Sequence, residues 1–328
     1  MKNNFSSREV SKNDWPSIRA KYTNQNFKFR HPESWEWFYQ LFPEISNFVI
    51  AYASFNLANE VVGFIGGALH GAECKNISIE ALIIKDIFSI STPTYPIAIN
   101  SSPLSSTYEV FFEKLKYRNT LAIGFDHLKL EDHVNQLDNF HSFTSSCWFE
   151  IKLLGIIEVI GSSCTVKQTD FSENNWNTFW ELRSKRIQFG IKRDQKFLHW
   201  RYHKKQGNIY WSFAVYSPIT HIPIGFIVLS PRMNHTAIIV DCAFNEDLAT
   251  IRDSLQKIQN WLYYKGIRRI ETLSSPGCPE FEVWKVLGFK PYEPEINAKP
   301  FYKCFNTMIK DSVVNESFAL TLGDSVYI

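Results

Sequence analysis

Short apolar runs alternate along the chain with stretches that have helical spacing, and this order occurs twice. Strands are predicted at residues 7–10, 47–55, 61–70, 79–88 and 120–125, and again at 164–169, 210–216, 222–230, 236–244 and 269–273. Helices are predicted at residues 14–22, 105–115 and 130–137, and again at 172–186, 247–265 and 278–287. Strands interleaved with helices in this way predict an α/β architecture, in which a mixed sheet carries helices on both faces.

Four local features recur in the same order in the two halves: an aromatic helix end, a Gly-Phe strand start, an aspartate in an apolar strand and a phenylalanine after a helix. The pairs are Tyr39 and Tyr202, 163 residues apart, Gly63 and Gly225, 162 apart, Asp86 and Asp241, 155 apart, and Phe140 and Phe289, 149 apart. Such ordered self-similarity predicts two domains of one kind in tandem. The Gly/Ser-containing stretch at 154–163 places the boundary so that the domains are residues 1–155 (the first half) and 156–328 (the second half).

Composition narrows the function classes. Of the 328 residues, 45% are hydrophobic and 21% are charged, which is typical of a globular protein. A formal net charge of +2 argues against a nucleic-acid or anionic-membrane surface. The chain has no apolar run long enough to cross a membrane and no N-terminal signal pattern, so we expect a cytoplasmic protein. Its six cysteines and nine histidines are scattered, and no metal site is expected.

Several phrases of the second half carry a family resemblance. These are the segment from Arg193 to Tyr202, the pair Gly225-Phe226, the triplet Leu287-Gly288-Phe289 and the ending Leu322-Gly323-Asp324. Together they resemble the second domain of tandem GNAT N-acyltransferases, some of which are found among bacterial surface-polysaccharide and secondary-metabolite genes. The resemblance implies two GNAT-like domains and a biosynthetic acyl transfer. The donor would be acyl-CoA or the phosphopantetheine of an acyl carrier protein, and the acceptor the amine or hydroxyl of a small molecule.

GNAT-like donor binding requires backbone N–H groups at a helix N-terminus to hold a diphosphate, usually on a glycine-rich loop. Neither half has that loop. The first half offers small and hydroxyl-bearing residues after its central strand, and the candidate donor-binding residues are Ile87, Ser89, Ser101, Ser102 and Ser105. An ordinary loop is the alternative interpretation. The second half places Glu246 and Asp247 at the corresponding point, where carboxylates repel a diphosphate.

The resemblance also implies an acid and a base near the central strands. Many family members have a tyrosine acid four residues before the second Gly-Phe position, but this chain has Asn135 in one half and Trp284 in the other. We interpret Trp284 as a packing residue. The candidates for a general base are Asp86 first and His127 second.

Each candidate has a plainer interpretation. Asp86 follows Lys85 and fits a solvated pair at a strand end, and His127 fits an incidental loop histidine. Asp241, the third catalytic candidate, sits in an apolar run, where a carboxylate requires a partner or a raised pKa. Structural hydrogen bonding explains Asp241 as well as catalysis does.

Two function classes stay open from the sequence. One is an acyltransferase, for which a carrier-protein donor would tolerate the missing diphosphate loop. The other is a catalytically inactive GNAT-like binding or assembly protein in a biosynthetic pathway. An acyl carrier protein is a candidate partner, and nucleic acid is not expected to be one.

Overall fold

The computed structural model describes residues 5–24, 38–39, 49–74, 77–89, 103–116, 120–126, 140–159, 161, 163–203, 209–219, 222–294, 299–305 and 309–324. These residues form two mixed sheets with helices against them. The two-sheet α/β architecture predicted from the sequence is confirmed.

The first sheet has the strand order β1-β2-β3-β4-β5-β15-β6, and β9 pairs with the far end of β3. Its strands are β1 (Phe5–Glu9), β2 (Val49–Asn56), β3 (Val61–Cys74), β4 (Ile77–Ser89), β5 (Thr120–Asp126), β6 (His141–Ser142), β9 (Phe189–Ile191) and β15 (Lys299–Cys304). Only the β4–β5 pair is parallel among these described strands.

The second sheet has the order β8-β10-β11-β12-β13-β7-β14. Its strands are β7 (Cys147–Lys152), β8 (Thr165–Gln168), β10 (Trp211–Tyr216), β11 (Pro223–Arg232), β12 (Thr236–Phe244), β13 (Arg269–Ser274) and β14 (Lys290–Pro291). The β12–β13 pair is parallel, as β4–β5 is in the first sheet. The two sheets therefore share one strand order, as the internal repeat predicts.

Each sheet takes its sixth strand from the other half of the chain. Strand β15, from the second half, pairs with β5, and strand β7, from the first half, pairs with β13. Six residue pairs form each of these contacts, so the exchanged strands are full members of the sheets. The domain boundary at residues 155 and 156 stays a prediction. Each sheet contains strands from both sides of that boundary.

The helices occupy positions where apolar faces meet the sheets. They are α1 (Trp15–Asn24), α2 (Pro103–Lys116), α3 (Asn175–Ser184), α4 (Gln195–Tyr202), α5 (Leu248–Tyr264), α6 (Phe281–Val286) and α7 (Asp311–Ser317), and a 3-10 turn covers Leu322–Asp324. Helix α5 shows the rule: Ile251, Leu255, Ile258 and Leu262 are buried at helical spacing. The predicted helix at 130–137 lies outside the described residues.

The end of α6 shows how the helix stops and confirms the interpretation of Trp284. Gly288 adopts a φ of +89°, a left-handed conformation that glycine takes without a steric penalty, and so ends the helix. Trp284 is 1% exposed and its ring centre lies 5.0 Å from that of Phe289. Trp284 is thus a packing residue, as predicted.

The two halves share one hydrophobic core. Phe38 of the first half contacts Trp200 of α4, with ring centres 6.3 Å apart. The ring of buried His70 of β3 packs tilted against that of Phe197, with ring centres 4.7 Å apart, and its Nε2 lies 2.9 Å from the Lys192 carbonyl oxygen. The aromatic residues of the Arg193–Tyr202 segment therefore anchor the two halves to each other.

Candidate active site

Both parallel strand pairs separate partway along their length. The β4–β5 pairing ends at Ile83 and Ile123, and the β12–β13 pairing ends at Ile239 and Thr272. The strands continue beyond these points and leave a gap, which we call the first cleft between β4 and β5 and the second cleft between β12 and β13. The two separations lie at equivalent places in the repeat, near Asp86 and Asp241.

A β-bulge borders each cleft. On β4 the register steps from Ile84 to Asp86, which lies opposite Gly66. On β12 it steps from Ile239 to Asp241, which lies opposite Val228. A bulge bends its strand and re-aims the residues around it. The two aspartates thus occupy the same position in the repeated fold.

The second cleft is filled by residues 318–324 of the chain, which we call the tail segment. Thr321 forms an isolated bridge with Ser274 at the end of β13, and the Ala319 N–H donates to the Phe189 carbonyl at 2.7 Å. The Ser275 hydroxyl donates to the Phe318 carbonyl and accepts the Leu320 N–H at 2.9 Å. The tail segment is therefore held by backbone contacts to β9 on one side and to the end of β13 and Ser275 on the other, through isolated bridges.

Asp241 forms the centre of a buried polar network with the tail segment. Its carboxylate accepts from Arg193 Nε at 2.9 Å and from the Tyr202 hydroxyl at 2.7 Å. It also accepts from the Thr321 hydroxyl at 3.0 Å, while Arg193 Nη2 donates to Asp324 at 2.8 Å. Asp241 is 1% exposed. The geometry gives this carboxylate the partners that its apolar setting requires.

Charges within this network are mutually dependent. Burial lowers the pKa of Arg193, but the carboxylates of Asp241 and Asp324 outweigh burial, and the net shift is upward. Burial raises the pKa of Asp324 to about 6, although Arg193 acts against that rise. Burial and the neighbouring Asp241 carboxylate also raise the pKa of Tyr202. The tail segment is therefore fastened by a charged guanidinium shared between two carboxylates.

The fit around the tail segment leaves no space for a second ligand. A Cβ atom added to Gly323 would lie 2.5 Å from both Asp241 Oδ2 and the Tyr202 hydroxyl. One added to Gly277 would lie 2.4 Å from the Phe318 backbone. The remaining cavity between β12 and β13 measures about 10 Å³, which is at the lower limit for one water molecule.

Around the loop after β12, carboxylate side chains of the protein itself accept hydrogen bonds from backbone N–H groups. Asp247 accepts the Thr250 N–H at 3.0 Å and so caps α5. Buried Glu280 accepts the Phe244 N–H at 2.9 Å and pairs with Arg183 at 2.6 Å. Two backbone donors at this place, the N–H groups of Thr250 and Phe244, are thus already bound to carboxylates.

The first cleft has a different border. Lys85 lies in the β4 bulge and is 2% exposed, with its ammonium 4.9 Å from the Phe38 ring centre and 5.5 Å from that of Tyr39. These distances are those of cation–π contacts. The pairing of Lys85 with Asp86 as a solvated strand end was the plainer expectation, and buried Lys85 contradicts it for the lysine. The sequence feature that indicates a buried lysine here is a positive charge within an apolar strand.

The other first-half candidates fall on or near this cleft. Asp86, Ile87 and Ser89 belong to β4, where they pair in register with Gly66, Ile65 and Gly63. Ser105 lies in the first turn of α2. Ser101, Ser102 and His127 lie outside the described residues. The described candidates thus share the strand and the helix that frame the first cleft, whereas Asp241 borders the second.

Hydroxyl groups fix the start of α2 against the sheet. The Ser7 hydroxyl lies 2.8 Å from that of Ser106 and 2.5 Å from that of Ser54. The Ser54 hydroxyl lies 2.5 Å from that of Thr107. These contacts join β1, β2 and α2, so the N-terminal turn of α2 has a set position beside the first cleft.

The comparisons with known proteins agree with this geometry. The chain is similar to the crystal structure of a protein from Enterococcus faecalis described as a probable N-acyltransferase, with a TM-score of 0.66, 10% identity, and coverage of 92% of this chain and 73% of the other. A GCN5-related N-acetyltransferase from Anabaena variabilis gives a TM-score of 0.61 at 10% identity over 92% and 73%. The fold is that of the GCN5-related N-acetyltransferases. The predicted tandem GNAT-like architecture is thereby confirmed, with one sheet for each copy.

The chain is also similar to the crystal structure of Saccharomyces cerevisiae N-myristoyltransferase, which was determined with bound myristoyl-CoA. It matches with a TM-score of 0.56 and 8% identity over 93% of this chain and 83% of that one. No family model and no curated protein sequence matches the GNAT-fold chain. The relation is therefore one of fold rather than of sequence.

Two further findings concern the described residues of this GNAT-fold protein. No helix among them has the length and the apolar character needed to cross a bilayer. Nor do they contain a cluster of three or more histidine, cysteine, aspartate or glutamate residues arranged to hold a metal ion.

Proposed function

We propose that this protein is an acyltransferase whose donor site is the first cleft. The observation that supports it is the contrast between the two clefts of one repeated fold: the second is filled by the tail segment, bound through Thr321 and Asp324, and its loop is capped by Asp247. The first cleft lies between β4 and β5; Asp86, Ile87 and Ser89 belong to β4, and Ser105 lies in the first turn of α2.

The proposed reaction moves an acyl group from a thioester to an amine or hydroxyl of a small molecule. The acceptor nitrogen or oxygen attacks the thioester carbonyl carbon, the carbon–sulfur bond breaks, and the acceptor proton is passed on so that a thiol leaves. Asp86 is the proposed base, with His127 second, because deprotonating an amine is a larger demand than expelling a thiolate of pKa near 8.5. Acyl-CoA is the first donor to test, and a carrier-protein-bound acyl group is the second.

A matched pair of substitutions tests which half binds the donor. Ser105→Glu adds a carboxylate to the first turn of α2, and Ala249→Glu adds one to the first turn of α5, the equivalent second-half helix. We expect Ser105→Glu to weaken acyl-CoA binding in calorimetry about tenfold or more, because like charges repel. Ala249→Glu should leave binding unchanged. If only Ala249→Glu weakens binding, the donor binds in the second half and the proposed site is wrong. If the wild type does not bind acyl-CoA, acyl-CoA is not the donor.

Turnover tests the base. Asp86→Asn should lower the rate about 10²-fold with an unchanged melting temperature. Asp247→Asn is the control, since asparagine also caps helices. If Asp86→Asn keeps full activity, the proposed base is wrong.

A further inference from the structure

A groove lies along the free edge of the second sheet, away from both clefts. Its volume is about 940 Å³, and its floor is formed by β8 and β10, the two outermost strands. The loop before α3 forms one wall, and the end of α4 closes one end. Strands β10 and β11 separate it from the strand β12 that borders the second cleft. The floor of the groove is therefore separate from both clefts, although buried Tyr202 at one end of the groove donates its hydroxyl to Asp241 of the second cleft.

Polar side chains share the floor of this groove. In the β8–β10 ladder Thr165 lies opposite Tyr216 and Lys167 lies opposite Ala214. Because side chains alternate along a strand, Ser212 shares the face of Ala214 and Tyr216. Within the described part of the chain, the Ser212 and Tyr216 hydroxyls make no hydrogen bond, and the Lys167 ammonium contacts only the Tyr216 ring, at 5.8 Å. The floor thus offers hydrogen-bonding groups that the protein does not use itself.

Tyrosine rings stand at both ends of the groove. Tyr216 lies at one end and half-buried Tyr210 at the other, where the Tyr210 ring packs nearly perpendicular to that of buried Tyr202, with ring centres 5.3 Å apart. A tyrosine presents an apolar ring face together with a polar tip. Such rings suit ligands that have apolar C–H faces and hydroxyl edges, as pyranose sugars have.

The charges around the groove disfavour an acidic ligand. Of the side chains that line the groove, Asp170 and Glu173 contribute two exposed carboxylates, Lys167 one ammonium and His203 an imidazole, while the buried Arg201 guanidinium donates to the Tyr210 hydroxyl. Hydrogen bonds from Ser172 lower the pKa of Asp170, so that this carboxylate is ionised at neutral pH. A phosphorylated ligand would meet repulsion from the two exposed carboxylates, while an amine-bearing or uncharged ligand would not.

We infer that this groove binds a carbohydrate, namely an uncharged or amine-bearing sugar of about one to three pyranose rings. Ligand pockets are typically ~300–1,000 Å³, which accommodates molecules of that size. The unused hydroxyls and the lysine supply hydrogen bonds to the sugar hydroxyls, the tyrosines supply ring contacts, and the carboxylates accept an amine. This inference rests on the groove alone and does not depend on the proposed acyl transfer.

Saturation-transfer NMR on the full-length protein tests it. The probes are glucose, glucosamine, N-acetylglucosamine, maltose and glucose 6-phosphate. We expect saturation transfer to the uncharged or amine-bearing sugars and markedly weaker transfer to glucose 6-phosphate. Transfer to none of the sugars, or strongest transfer to the phosphate, would overturn the inference.

Matched variants locate the binding. Lys167→Ala and Tyr216→Ala should each weaken binding of the best probe about tenfold. Lys152→Ala and Tyr264→Ala remove the same side chains from exposed positions on β7 and at the end of α5, and should leave affinity unchanged. Circular dichroism confirms that each variant is folded. If the groove variants bind the sugar as tightly as the wild type and the controls, the sugar binds elsewhere and the assignment fails.

Discussion

The two clefts occupy equivalent positions in a repeated fold, but the residues that border them differ in chemistry. In the second, Asp241 and Arg193 are fully engaged with Thr321 and Asp324 of the tail segment. In the first, the β4 bulge contains Lys85 where the β12 bulge contains Val240. The comparison teaches that equal backbone geometry does not give equal chemistry, because a cleft whose polar groups bind the chain itself cannot bind a ligand with them.

Breaking the chain between the halves is expected to have the largest consequence for that comparison. A protease site inserted after Gly155, beside the 90% exposed Leu154, allows a single cut in the folded protein. Because β7 and β15 each sit in the other half's sheet, the two fragments should stay together in native gel filtration. They should separate only in denaturant, as mass analysis of the fractions would show.

The same cut supplies its own control. Uncut protein with the inserted site should show the thermal transition of the wild type. Fragments that separate under native conditions would contradict the strand exchange and would favour two independent domains divided at residue 155.

The second expected effect concerns the buried network of the second cleft. Arg193→Met leaves two carboxylates without their shared guanidinium. Breaking a buried ion pair by removing one partner typically costs ~3–5 kcal/mol. Urea unfolding at neutral pH should therefore show a loss of that order in the free energy of unfolding.

A second variant sharpens the measurement. Asp324→Asn keeps the Arg193–Asp241 pair and should cost less than Arg193→Met. If Arg193→Met loses less than about 1 kcal/mol, the tail segment is not held by this network.

Sequence patterns predict most of the fold because strands and helices follow local periodicity. The strand predicted at 236–244 matches Thr236–Phe244, and Asp86 and Asp241 occupy equivalent bulge positions. The strand exchange was not predictable, because the sequence pattern of β7 or β15 indicates a strand but does not indicate which sheet that strand joins. Nor was the filled cleft: the polar residues of the tail segment give no local sign that they meet Arg193, more than 120 residues earlier.

The third expected effect is a pH dependence of the free energy of unfolding, to which two buried groups contribute with opposite signs. Burial lowers the pKa of His70 from 6.5 to about 4, so its contribution to stability is present above pH 6.5 and is lost as pH falls to 4. Burial raises the pKa of Asp324 from 3.8 to about 6, so its contribution is present below pH 3.8 and is lost as pH rises through 6. At ~1.4 kcal/mol per pKa unit, each contribution is about 3 kcal/mol.

Removing one group at a time exposes the other. Between pH 4 and 6, the free energy of unfolding of Asp324→Asn, measured relative to the wild type, should increase with pH. That of His70→Gln should decrease. The test is the slope of this free-energy difference against pH. The absolute free energy of unfolding is not the test, because either substitution also changes it. Difference curves without slope in this window would show that neither group keeps its shifted pKa in solution.

The smallest expected effect separates buried pairing from surface pairing on neighbouring residues. Lys285 pairs with Glu282 at 2.8 Å on α6, but both side chains are exposed, and the lysine also lies 4.8 Å from the Phe281 ring centre. Exposed pairs contribute ~0–1 kcal/mol, because water screens them and ordering two long side chains costs entropy. Lys285→Ala should therefore lower the free energy of unfolding by less than about 1 kcal/mol. Arg183→Met, which breaks the buried pair with Glu280 at the start of the same helix, should cost several times more. Equal losses in urea unfolding would mean that burial does not distinguish the two pairs, and the argument that the second cleft is sealed by buried carboxylates would lose its basis.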